Sequence, residues 1–161
     1  MRLTMDATVV AYAKTLTFQH RQKQKDRMKP KAKILIVEDE SSVAMTMRFL
    51  LGLAGCEAEI AATRARAIQM AQSGSFDLIT LDINLRGANG YEVCQQLKKD
   101  PRLRNTPIVF VSGNCCVEDQ QRGLDIGAVD YITKPFDSAE FAARILSHIG
   151  SGKSGRTAAV K

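Results

Sequence analysis

The 161-residue chain has no tryptophan, four prolines, four cysteines, and no apolar run of the roughly 20 residues that a membrane span needs. The cysteines are Cys56, Cys94, Cys115 and Cys116. They lack the C-x-x-C spacing of metal and redox sites, and the adjacent pair Cys115 and Cys116 does not suit an unstrained disulfide. The apolar stretch 7–18 contains Lys14 and has its basic cluster on the carboxyl side, so it does not read as a secretory signal. These absences predict a reducing, cytoplasmic setting and no membrane contact.

The formal net charge of +6 belongs to the two ends of the chain. Residues 1–31 hold eight Lys or Arg against two Asp, and residues 150–161 hold three Lys or Arg and no acid. The stretch 32–149 holds 12 basic and 15 acidic residues. We therefore expect one domain at 32–149, preceded by a flexible basic extension and followed by a flexible basic tail. A true start at Met28 would remove nearly all of the extension.

Apolar runs alternate with amphipathic, helix-like segments through residues 32–149. The strand-like runs are 34–37, 56–60, 78–81, 108–111 and 129–132. The helical segments lie near 43–51, 65–71, 91–99, 117–126 and 138–148, with serines at 41, 42 and 138 as candidate N-caps and a Gly-rich loop before the third. Short apolar, β-branched runs are typical of strands buried in a parallel sheet. The pattern predicts an α/β fold: a doubly wound five-stranded parallel sheet with helices on both faces.

Polar residues follow four of the five strand-like runs. Glu38 and Asp39 follow the first, Asp82 the third and Ser112 the fourth, and Lys134 follows the fifth. The carboxyl ends of parallel strands share one edge of a sheet, so we expect these side chains to converge. Three carboxylates repel one another unless a cation joins them, and Mg²⁺ suits oxygen ligands. An aspartate between a metal ion and an ammonium group is placed to attack phosphorus.

Four segments at these strand ends carry a family resemblance. They are Ile-Leu-Ile-Val-Glu-Asp-Glu at 34–40, Leu-Asp-Ile-Asn-Leu-Arg-Gly-Ala-Asn-Gly at 81–90, Val-Ser-Gly at 111–113 and Asp-Tyr-Ile-Thr-Lys-Pro-Phe at 130–136. In this order they resemble the receiver domain of two-component response regulators, a flavodoxin-like fold, over about residues 32–149. The resemblance implies that Asp82 accepts a phosphoryl group from a histidine kinase or a histidine phosphotransfer protein.

The resemblance also implies the metal ligands. Asp39 and Asp82 would bind Mg²⁺ directly, together with the backbone carbonyl of Asn84, while Glu38 would act mostly through water. As in the family, the chain would catalyse only its own phosphorylation and slow dephosphorylation, and would not be an enzyme.

A second set of roles concerns the response to phosphorylation. Lys134 would pair with the phosphoryl oxygens, the Ser112 hydroxyl would turn to the phosphate, and Tyr131 would rotate inward behind it. Pro135 matches the family's cis proline. In the family these changes reshape the face of the fourth helix, the last strand of the sheet and the fifth helix, where a downstream protein or a second copy would bind.

Two departures and two variable positions stand near the site. Arg86 lies where the family often has proline, which predicts a looser and more basic loop, and Gly113 replaces a common alanine. Asn84 and Asn114 occupy positions that tune dephosphorylation in the family, where their amides could orient a water molecule.

Three other functions compete with this interpretation. The domain could be an interaction module that does not use phosphate, or residues 1–31 could bind nucleic acid through their basic residues, although they lack interleaved aromatics. An aspartate-nucleophile phosphatase is disfavoured because Asn84 stands where such enzymes carry a general acid. Only 12 residues follow position 149, so we expect no output domain in this chain and an output through protein contacts.

Overall fold

The structure is a computed structural model that describes residues 31–114 and 116–149. The predictions for residues 1–30, for the tail 150–161 and for Cys115 lie outside the described residues. None of the helices in the described ranges has the length and apolarity that crossing a bilayer requires.

Strands and helices alternate along the described chain. Their bounds are β1 (Lys33–Val37), α1 (Ser41–Leu53), β2 (Glu57–Ala61), α2 (Arg64–Ser73), β3 (Leu78–Leu81), β4 (Asn84–Leu85), β5 (Ala88–Asn89), α3 (Gly90–Lys99), β6 (Ile108–Ser112), α4 (Val117–Asp125), β7 (Asp130–Thr133) and α5 (Ser138–His148). The main sheet has five strands in the order β2-β1-β3-β6-β7, and every neighbouring pair is parallel. The predicted doubly wound parallel sheet is confirmed, with the alternating strand β2 at its edge.

The sheet separates two apolar layers because successive side chains of a strand point to opposite faces. In β1, Ile34 and Ile36 pack with α1 and α5, whereas Leu35 and Val37 pack with α2 and α3. Cys94 of α3 lies fully buried in the second layer, where burial raises the pKa of its thiol to about 11. Burial on both faces therefore explains why the central strands are almost entirely apolar, with Thr80 of β3 and Ser112 of β6 as buried polar exceptions.

The segment after Asp82 differs from the predicted Gly-rich loop. β4 and β5 form a small antiparallel hairpin, with Asn84 paired to Asn89 and Leu85 paired to Ala88. Gly87 turns the chain with φ of +74°, a value that side-chain-bearing residues seldom adopt. A two-residue strand has too few positions to show alternation, so the sequence pattern gave no sign of it.

The predicted serine N-caps are wrong at both helices. Glu40 is the N-cap residue of α1, and Asp137 is that of α5. Asp137 accepts hydrogen bonds from the backbone N–H groups of Ala139 and Glu140, each at 2.9 Å. A carboxylate one residue earlier performs the capping expected of Ser138, with the added attraction of the helix dipole.

One buried hydroxyl in the sheet lacks a partner. Thr80 of β3 is fully buried, and its Oγ1 has no hydrogen-bond partner within the described part of the chain. Burying a hydroxyl without a hydrogen bond costs free energy because the group gives up its bonds to water.

We expect Thr80→Val to raise the free energy of unfolding by about 1 kcal/mol, because valine keeps the shape and removes the unpaired oxygen. Thr80→Ser is the matched control, and it should destabilise the fold because it keeps the hydroxyl and loses a methyl group. Urea unfolding curves of the three proteins measure both changes. A Thr80→Val protein less stable than the native chain would contradict this account.

Candidate functional site

The site lies at the carboxyl edge of the sheet, where the strand order reverses. β1 is flanked by β2 on one side and β3 on the other, so the loops after β1 and β3 open a crevice between them. Glu38 and Asp39 follow β1, and Asp82 follows β3. The apolar strands β1 and β3 end at the edge of the sheet, and the polar residues that directly follow them line the crevice.

Lys134 bridges two of the acids. Its Nζ donates to Glu38 Oε2 at 2.5 Å and to Asp82 Oδ2 at 2.8 Å. Glu38 is 2% exposed, and its burial raises the pKa of its carboxyl, as does the Asp82 charge, against the opposing effect of Lys134. Burial lowers the pKa of the Lys134 ammonium, but its bonds to Asp82 and Glu38 outweigh that and raise it. The lysine therefore stays charged and balances part of the acidic cluster.

Asp39 completes a group of three carboxylates. Glu38, Asp39 and Asp82 each offer one oxygen, and these oxygens lie within 4.8 Å of one another. A donor set made only of carboxylate oxygens fits a hard cation such as Mg²⁺ and does not favour softer transition metals. Asp39 accepts a hydrogen bond from the backbone N–H of Arg86 at 3.2 Å, and Asn84 N–H donates to Asp82 Oδ1 at 3.1 Å. The residues present therefore fit the predicted ion.

Ser112 and Tyr131 lie together beside this cluster. Ser112 is fully buried at the end of β6, and its Oγ accepts a hydrogen bond from Asn114 N–H at 3.3 Å. Tyr131 is 6% exposed and donates its hydroxyl proton to the Asn114 carbonyl at 2.8 Å. The tyrosine ring is thus already directed inward in this structure, so the inward rotation that the resemblance implied is not required here. Asn114 also accepts from the Asn84 amide at 3.4 Å, which brings the two variable positions together across the site.

An aromatic cluster of tilted and edge-to-face rings, which the sequence patterns did not predict, lies behind Tyr131. The Phe110 ring centroid is 6.1 Å from that of Tyr131 and 5.2 Å from that of Tyr91. Tyr91 donates to the Asp119 carbonyl of α4 at 2.9 Å. A Cβ at Gly123 of α4 would lie 2.9 Å from the Phe110 ring, so this helix packs directly on the aromatic cluster. The only sign in the sequence was a tyrosine in the first turn of a helix, which does not reveal its partners.

A known family model covers most of the described chain. The model of the response regulator receiver domain matches residues 34–146. The chain belongs to this family. The predicted resemblance is therefore confirmed over the whole parallel sheet. The Lys134–Pro135 peptide bond is cis.

Relatives and solved structures agree on the receiver fold. The transcriptional activator protein IrlR of Burkholderia pseudomallei is 37% identical over 121 residues, which cover 75% of this chain and 52% of that protein. The response regulator ArlR of Staphylococcus saprophyticus is 39% identical over 113 residues, covering 70% of this chain and 50% of ArlR. The chain thus spans about half the length of these relatives. Chemotaxis response regulator CheY4 of Vibrio cholerae is 30% identical with a TM-score of 0.69, covering 74% of this chain and 99% of CheY4.

Gly90 allows α3 to approach the loop that carries Asp82 closely. A Cβ at this position would clash with the Asp82 carbonyl oxygen and would lie 2.7 Å from Ile83 Cα. Both are backbone atoms, so no side chain can move aside to make room.

We expect Gly90→Ala to lower the free energy of unfolding by about 3 kcal/mol, because the loop that carries Asp82 must be displaced. Gly52→Ala in α1 is the matched control. A Cβ there meets nothing within 4 Å, and alanine should stabilise the helix by up to about 1 kcal/mol. Thermal unfolding of both variants measures the contrast, and equal stabilities would contradict the packing described here.

Proposed function

We propose that the chain is a phosphorylation-controlled receiver that accepts a phosphoryl group on Asp82. The observation that carries this proposal is the placement of Asp82 beside two other carboxylates and 2.8 Å from the Lys134 ammonium. Cations on either side of a carboxylate would offset the charge of an incoming phosphoryl group, whose three oxygens repel an anionic nucleophile.

The transfer is a displacement at phosphorus. A carboxylate oxygen of Asp82 forms a bond to phosphorus, and the bond from phosphorus to the imidazole nitrogen of a donor phosphohistidine breaks. The electron pair of that bond stays on the imidazole, and Asp82 becomes an acyl phosphate. Asp39, Asp82 and the Asn84 carbonyl would hold Mg²⁺, with Glu38 acting through water. The bound ion supplies positive charge next to the phosphoryl oxygens.

Lys134 and Ser112 complete the proposed chemistry. Lys134 exchanges part of its contact with Glu38 and Asp82 for a phosphoryl oxygen. The Ser112 hydroxyl donates to another phosphoryl oxygen, and Tyr131 stays inward behind it. The Asn84 and Asn114 amides lie at the open side, where they would affect the approach of the water that hydrolyses the acyl phosphate.

We expect acetyl phosphate with Mg²⁺ to add one phosphoryl group to the chain, because the small donor needs no docking surface. Asp82→Asn should abolish the addition, and so should chelation of Mg²⁺. Asp125→Asn is the matched control, since Asp125 is an exposed aspartate at the other end of α4. Intact-protein mass spectrometry measures the added group. Labelling that survives in Asp82→Asn would refute the site, and a chain that is never labelled would favour the phosphate-independent interaction module.

The proposed output face consists of α4, β7 and α5. Exposed apolar side chains lie along this face and its adjoining loops. The exposed fraction is 74% for Val117, 44% for Leu124, 42% for Val129 and 39% for Leu146. We propose that phosphorylation favours binding of a downstream protein or a second copy here, while the cognate histidine kinase or phosphotransfer protein presents its phosphohistidine at the acidic crevice.

If a second copy binds the output face, acetyl phosphate should increase the dimer fraction of the native chain. Leu124→Glu should reverse that increase by burying a charge in the interface, without reducing phosphoryl labelling. Leu53→Glu is the matched control, because Leu53 of α1 is 72% exposed and lies outside this face. Light scattering after size exclusion reports the mass. Equal loss of dimer in both variants would contradict the assignment of the face.

A further inference from the structure

Arg86 lies next to the acidic cluster. Its backbone N–H donates to Asp39 Oδ2, and its Nε lies 3.8 Å from the same oxygen. The Arg86 side chain is 90% exposed, whereas that of Asp39 is 20% exposed. The guanidinium therefore pairs with a cluster carboxylate while it remains in contact with water.

The small hairpin fixes the backbone at this position. Arg86 and Gly87 form a two-residue turn that connects β4 to β5. Gly87, at the second position of this turn, has a positive φ. The hydrogen bond to Asp39 ties the turn to the loop after β1. The backbone of Arg86 is consequently held next to Asp39, which keeps the start of its side chain within reach of that carboxylate.

Two cations divide the three acids between them. Lys134 pairs with Glu38 and Asp82, and Arg86 pairs with Asp39. Asp39 belongs to the group of carboxylates whose oxygens lie within 4.8 Å of one another. A divalent ion held by this group would therefore share Asp39 with a guanidinium of like charge.

We propose that Arg86 is a tethered counter-ion of Asp39 that weakens Mg²⁺ binding and so sets the Mg²⁺ concentration at which the site fills. This inference rests on the proposed function of the site. Because the guanidinium is largely exposed, water screens its repulsion of the ion, and we expect an effect of about threefold to tenfold in Kd at low ionic strength. Added salt should reduce the effect, since mobile ions screen exposed charges strongly.

Titration calorimetry of the full chain with MgCl₂, in the absence of any phosphoryl donor, tests the inference. Arg86→Gln should bind Mg²⁺ about threefold to tenfold more tightly than the native chain in dilute buffer, and less than about twofold more tightly in roughly 1 M salt. Arg86→Lys should stay within about twofold of the native Kd because it keeps the charge. Arg104→Gln, an exposed arginine in the loop before β6, controls for the change in net charge and should leave Kd unchanged.

Equal Mg²⁺ affinity in the native chain and Arg86→Gln would overturn the inference and leave the proposed function standing. Equal tightening by Arg104→Gln would also overturn it, because the effect would then belong to the overall charge. A native chain that binds no Mg²⁺ at all would instead refute the metal site of the proposed function, and the role of Arg86 would fall with it.

Discussion

The contact between Lys134 and the acids Glu38 and Asp82 is the interaction on which the site depends. These acids lie 96 and 52 residues from Lys134 in sequence, and the contact joins the loops after β1, β3 and β7. Two adjacent carboxylates that are 2% and 6% exposed repel each other, and a neighbouring cation offsets that repulsion. The lysine therefore balances part of the negative charge beside Asp82, the proposed phosphoryl acceptor. The parallel sheet supports this arrangement by bringing three distant loops to one edge.

Contacts around Ser112 connect the carboxyl edge of the sheet to α4. Ser112 accepts from Asn114 N–H, and Tyr131 donates to the Asn114 carbonyl. Behind Tyr131, the Phe110 ring packs against Gly123 of α4. A hydroxyl that moved toward a phosphoryl group would disturb the Asn114 loop first and the packing of α4 next. The proposed output face lies next to this aromatic cluster. A short chain of contacts therefore connects the proposed phosphorylation site to the surface that would bind a partner.

Sequence patterns were sufficient for the sheet and for the residues at its edge. Fully apolar runs such as 108–111 mark buried strands, and polar residues directly after them must lie at the carboxyl edge. Patterns could not reveal the β4–β5 hairpin, whose two-residue strands are too short to alternate. The cap was ambiguous because Asp137 and Ser138 are both favoured N-cap residues. The burial of Tyr91 depends on partners distant in sequence, such as Asp119. Asp130 is a similar case: it binds Arg144 and lies 3.1 Å from the His148 ring nitrogen. The bonds it accepts outweigh burial and lower its carboxyl pKa. Side-chain pairs of this kind depend on rotamers that composition and periodicity do not encode.

The most direct test of the account is to locate the phosphoryl group itself. The full chain is treated with acetyl phosphate and Mg²⁺ and then with borohydride, which reduces an acyl phosphate to an alcohol and leaves free carboxylates intact. Peptide mass spectrometry then identifies the reduced residue. The account predicts reduction at Asp82, which would be read as homoserine. Reduction at Glu38 or Asp39, or at no residue of a protein that carries the phosphoryl group, would contradict it.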